Sequence, residues 1–178
     1  MADDKKEPWM NWLALMTVLL AACATFATFK GGGFSTKSLL AQTQASDQWA
    51  FYQSKSLKSY LSEMERDMLQ LQLGVAMAAT TNLVATWQPR IAELDKRVKR
   101  YEEERKKIEA EAHGLEKLRD SNAAHGRQFG IAVIYLQLAI LLSSIAALLK
   151  KKPVWVLGLA FGCVGVVFFA NGFYLFWP

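Results

Sequence analysis

The sequence predicts an all-α integral membrane protein, with three transmembrane helices and a long antiparallel helical (coiled-coil) hairpin between the first and second. Three observations carry this. Trp9–Phe29, Phe129–Leu149 and Val154–Trp177 contain no Asp, Glu, Lys or Arg, and each reaches the roughly 20 apolar residues that a helix needs to cross a bilayer. Lys150, Lys151, Lys152 and Pro153 leave room only for a tight turn between the last two. The stretch 30–128 holds 16 of the 21 Lys and Arg and shows helical apolar spacing. The chain divides into a tail 1–8, a first span 9–29, an extramembrane hairpin 30–128 with its tip at about 74–88, a second span 129–149, a basic loop 150–153 and a third span 154–177.

A mean hydropathy of +0.10 looks soluble, but it averages nearly pure hydrocarbon with a charged middle. The net charge of +5 is spread among acids, so it gives no reason to expect a nucleic-acid partner. Cys23 and Cys163 both lie in apolar segments, so no disulfide framework and no Cys-x-x-Cys exists.

The first apolar run invites a second reading. Lys5 and Lys6 precede it and Ala22-Cys23-Ala24 sits near its end, as in a secretory signal; Leu20-Ala21-Ala22-Cys23 also has the residue pattern of a lipoprotein cleavage box. The run stays apolar past Cys23 through Phe29, which favours an uncleaved span. Basic residues in short loops stay cytoplasmic, whereas long loops cross largely regardless of charge. Lys150–Lys152, with Lys5 and Lys6, therefore place the N-terminus and the short loop in the cytoplasm. The hairpin and C-terminus fall on the periplasmic side of a bacterial inner membrane.

Within 30–128, Gly31-Gly32-Gly33 is expected to break the helix leaving the membrane, with Ser35 or Thr36 capping the next. Leu57, Leu61, Met64, Met68, Leu71 and Val75 step by four and three, which predicts one apolar stripe of a helix in the first arm. Pro89 fits the first turn of the second arm. Ile91, Leu94, Val98, Tyr101, Arg105, Ile108, Ala112 and Leu115 continue as a heptad seam that only Arg105 interrupts. Between Met68 and Gln88 there is no charge. An apolar tip there reads as a contact surface for a partner, another copy or a membrane, through Val75, Met77, Leu83, Val84 and Trp87. A self-packed turn is the plainer reading, and Gln70, Gln72 and Asn82 disfavour a fourth span.

Small residues mark helix packing. Gly158, Gly162, Gly165 and Gly172 share one face of the last span, and Thr17, Ala21, Ala24 and Thr28 make a similar stripe on the first. Such faces serve packing within the chain or between copies. Gln137 and Asn171 are expected to act as interhelical polar glue, with Ser143 and Ser144 nearby. No ionisable group lies at depth, which argues against a proton-coupled transporter. His113 and His125 are too far apart along one helix to share a metal and read as solvated. No nucleophile–base pairing, phosphate loop or nucleotide fingerprint occurs, so neither an enzyme nor a cofactor is expected.

The segment Gln42–Lys58 is dense in amides and aromatics. Asp47, Gln48, Trp49, Tyr52 and Lys55 are expected at the hairpin interface, as a buried polar network that sets register rather than as a ligand site. The run Gln44-Ala45-Ser46-Asp47-Gln48-Trp49-Ala50-Phe51-Tyr52-Gln53-Ser54-Lys55-Ser56-Leu57-Lys58 resembles the signature of an uncharacterised bacterial membrane family, domain of unknown function 4337. The resemblance extends over most of the chain, with Phe51 and Ser54 standing where Tyr and Ala are expected. It implies a cell-envelope protein and brings no activity, substrate or catalytic residue. The expectation is a self-assembling structural or scaffold component, a homo-oligomer in the lipid bilayer with an unidentified protein partner at the hairpin tip. The alternative is a subunit of an oligomeric channel or transporter; a signalling receptor ranks last.

Overall fold

A computed structural model describes the backbone of residues 8–76 and 81–177 and the side chains of 9–74 and 86–177. The described chain is all-α, in three helices: α1 Pro8–Ala76, α2 Thr81–Leu149 and α3 Lys152–Tyr174. Each is long and apolar enough to cross a membrane. Contacts divide the chain into two compact units, one of residues up to Leu40 together with Leu118 onward, the other of Ala41–Lys117.

In the first unit the helices meet along small residues. On α1, Leu13, Leu20, Ala24, Ala27 and Gly31 face inward. On α2 the inner line is Phe129, Ala132, Leu136, Ala139, Ser143 and Ala146, in alternating steps of three and four. On α3 it is Gly158, Gly162, Gly165, Asn171 and Gly172. The glycines let large side chains sit against bare backbone. A Cβ on Gly165 would come within 2.8 Å of Leu136 Cγ, and one on Gly172 within 2.8 Å of the Phe129 ring. Gly158 faces Ala139, Leu142 and Ser143, and Gly162 faces Leu20 and Ala139. The glycine face is thus filled by the chain's own helices. Outward, Trp12, Leu15, Phe26, Ile134, Leu141 and Leu148 are exposed, a surface suited to hydrocarbon.

Several expectations change here. Gly31–Gly33 does not break α1, which continues through it. Gly31 is buried, and its missing Cβ would lie 3.0 Å from Phe129 Cβ, so close approach is its use. Thr36 makes no cap, because its hydroxyl donates to Gly32 O one turn back. The stripe of Thr17, Ala21, Ala24 and Thr28 is split: Ala24 is buried, whereas Ala21 and Thr28 are exposed. The third apolar helix begins at Lys152 and stops at Tyr174, not Trp177, because Leu175 turns left-handed (φ 48°) and its N–H closes on Asn171 O at 2.8 Å. Between α2 and α3, Lys150 takes φ 51° and Pro153 sits in the first turn of α3, where its missing N–H costs nothing.

In the second unit α1 and α2 run antiparallel. The predicted α2 seam holds, with Leu94, Val98, Ile108 and Ala112 buried. Pro89 does not start the helix but lies inside α2; its ring removes one backbone bond of a turn already near the N-terminus. The α1 stripe turns away from α2. Leu57, Leu61, Met64, Met68 and Leu71 all face outward. On a helix of 3.6 residues per turn they occupy the face opposite Tyr52, Lys55, Ser59 and Arg66, and it is those polar residues that meet α2.

Candidate functional site: a polar ladder between two helices

The residue run singled out in the sequence builds a ladder between α1 and α2 within 41–117. Ala41 and Ala45 are buried and set a close approach at one end. Trp49 follows, its indole N–H donating to Glu116 Oε1 at 2.9 Å. Glu116 Oε2 lies 2.8 Å from His113 Nδ1. The Trp49 ring meets Tyr52 and His113 edge-on at centroid distances of 5.5 and 5.3 Å, the geometry aromatic quadrupoles favour.

One turn further, Arg105 reaches across from α2. Its Nη2 donates to the Tyr52 hydroxyl at 2.8 Å, and its guanidinium carbon stands 4.9 Å from the Tyr52 ring centre. The residue that interrupts the apolar seam is therefore answered by a phenol that both accepts a hydrogen bond and offers a π-face. That bond, above all, holds the Arg105 pKa above its ordinary value. Lys55 pairs with Glu104 Oε2 at 2.7 Å and lies 5.2 and 5.6 Å from the Phe51 and Tyr101 rings. The Lys55 bond is the main cause that holds the Glu104 carboxyl below its usual range.

Beyond Lys55 the ladder is ionic. Buried Ser59 donates to Glu63 Oε1 at 2.9 Å. Arg66 bonds Asp67 at 2.7 Å and reaches Asp95 on α2 at 3.3 Å. Arg90 donates to Glu65 at 2.8 Å. The ion pairs among these are half-exposed and screened by solvent, so each is individually weak. Ser59–Glu63 and Arg66–Asp67 lie within α1. Arg66–Asp95 and Arg90–Glu65 cross to α2 and, with the Trp49, Tyr52 and Lys55 bonds, fix the register, since sliding one helix along the other breaks them. Asp47 is exposed and Gln48 half-buried, so of the five residues expected at this interface Trp49, Tyr52 and Lys55 carry the cross-helix bonds. Glu104 and Glu116, the acceptors on α2 for Lys55 and Trp49, carry no sequence signal that separates them from the other glutamates there. A shallow depression of about 300 Å³ is lined by Tyr52, Arg105 and Glu109. No group of three or more His, Cys, Asp or Glu able to hold a metal occurs among the described residues.

The polar residues of the first unit sort differently. Asn171 is buried and forms a two-bond pair with the backbone of Trp177, donating to its O at 2.9 Å and accepting from its N at 3.0 Å. It fastens the end of its own helix; the interhelical part falls to Gln128, whose amide donates to the same Trp177 O at 3.3 Å. His125, expected to be solvated, donates from Nδ1 to Gly172 O at 2.8 Å and stacks on Phe34 at 4.7 Å. Gln137 is exposed on α2, beside the exposed Ile134, Leu138 and Leu141. Of the five tip residues, Trp87 is half-buried, and the side chains of Val75, Met77, Leu83 and Val84 lie outside the described residues.

No curated protein and no solved structure matches the chain. The family described as "Domain of unknown function (DUF4337)" matches residues 9–175. With nearly the whole chain covered, including the polar ladder and all three apolar segments, the protein belongs to that family.

Proposed function

We propose that the chain is a non-enzymatic, three-span membrane protein that self-assembles and presents residues 30–128 as a structural surface outside a bacterial inner membrane. The observation that carries self-assembly is Gln137. It lies near the middle of an uncharged helical segment, exposed, with Ile134, Leu138 and Leu141 exposed around it. In hydrocarbon an amide has no water to bond, and a second copy supplies an identical amide. The channel alternative draws on Asn171 as well, but that side chain is taken up by Trp177.

Native mass spectrometry of the full chain in lipid nanodiscs tests this reading. The expected result is a multiple of the 20.0 kDa chain, with Gln137→Leu weakening association by about 1 kcal/mol, roughly fivefold. A chain that is monomeric at every accessible concentration ends the proposal.

A further inference from the structure

Every exposed large hydrophobic among the described residues of the 41–117 unit lies on α1, between Phe51 and Leu71. Five of them, Leu57, Leu61, Met64, Met68 and Leu71, are each more than half exposed, and Leu71 reaches 74%. Their steps of four, three, four and three average 3.5 residues. That is the period of a coiled-coil seam, which keeps a second helix in continuous contact where a 3.6 period would drift away. The chain's own α2 cannot cover it, because α2 spends its seam of Leu94, Val98, Ile108 and Ala112 on the opposite, polar face of α1.

We infer that this stripe is a pairing surface for the same stripe of α1 on a second copy, the two helices running parallel. The inference rests on the self-assembly reading above. Two copies inserted with the same sidedness carry α1 in the same direction, so parallel pairing is the arrangement their insertion provides. Identical residues then meet layer by layer: leucine on leucine at 57, 61 and 71, methionine on methionine at 64 and 68. The flanks agree with it. In parallel register Glu65 faces Tyr60 of a second copy and Asp67 faces Gln72, so no like charges meet. The stripe presents on the order of 500 Å² per copy, and joining two brings about 1,000 Å² out of water, near the lower bound of specific interfaces. It is also at the upper end of what a monomer leaves exposed in one apolar patch.

Single cysteines placed along α1 of the full chain, in a Cys23→Ser, Cys163→Ser background, test the pairing under mild oxidation in nanodiscs. Leu57→Cys, Leu61→Cys, Met64→Cys, Met68→Cys and Leu71→Cys are expected to give disulfide-linked dimers at least fivefold more efficiently than Gln70→Cys and Glu103→Cys, which are exposed off the stripe. Strong linking at Leu61 and Met64 with none at Leu57 and Leu71 means antiparallel pairing and overturns the inference. Uniformly weak linking in a chain whose native mass is a multiple means assembly occurs elsewhere; it overturns this inference and leaves the proposed function standing. Weak linking in a monomeric chain overturns both. Because the five side chains point outward, the Leu61→Glu, Met68→Glu double variant is expected to keep its helical circular dichroism while losing the dimer. Loss of helicity along with the dimer would mean that the stripe is part of the fold and would overturn the assignment.

Discussion

Arg105 shows how one residue alters the reading of a helix. In an apolar seam it looks like a defect, yet Tyr52 supplies both an acceptor at 2.8 Å and an aromatic face. Tyr52→Phe keeps the face and removes the acceptor. It is expected to lower stability by about 1 kcal/mol, the net worth of such a bond, measured by denaturant unfolding followed by circular dichroism. A change below a few tenths would mean that the ring alone holds Arg105. The density of amides and aromatics in Gln42–Lys58 was enough to locate this interface from sequence, and Trp49, Tyr52 and Lys55 follow from it. The acceptors for Trp49 and Lys55 were not legible, because Glu116 and Glu104 sit among several glutamates of equal propensity, and only the antiparallel register selects them.

The helices themselves were legible in their type and less so in their faces. Absence of charge marks the three apolar segments, and the α2 seam emerges from its spacing. The α1 stripe had equally good spacing, but periodicity gives a face without saying what covers it. Here the polar face won the contact with α2, and the apolar one was left outward. Gly31–Gly33 misled for a related reason: glycine propensity is weak against tertiary packing, and Gly31 is held in α1 by its fit to Phe129. The same packing sorts the glycines by consequence. Gly165→Ala would push a Cβ to 2.8 Å from Leu136 Cγ and 3.0 Å from its backbone N. Thermal unfolding in detergent is expected to show a loss of about 1–3 kcal/mol. Gly114→Ala meets nothing within 4 Å and is expected to gain about 0.5–1 kcal/mol from helix propensity. Equal effects at the two sites would contradict the close helix contact at Gly165.

At the scale of the whole molecule, the charge distribution and the two outward apolar surfaces fit one assignment. Trp12, Phe26, Ile134 and Leu148 suit lipid, while Leu57–Leu71 suits a second helix. Between the first and second apolar segments lies the charged, laddered stretch, and between the second and third lie only three lysines and a proline. Under the proposed function, three crossings would put that lysine turn and the charged stretch on opposite sides of the bilayer, and the positive-inside rule would put the lysines in the cytoplasm. This proposed topology underlies both the amide contact proposed at Gln137 and the parallel seam inferred for α1. Its most direct test is labelling of single cysteines by a membrane-impermeant maleimide in spheroplasts of a bacterial host, with Cys23 and Cys163 replaced by Ser. Ser54→Cys is expected to react in intact spheroplasts and Lys151→Cys only after lysis. Reaction of both before lysis, or of Lys151→Cys alone, would contradict it.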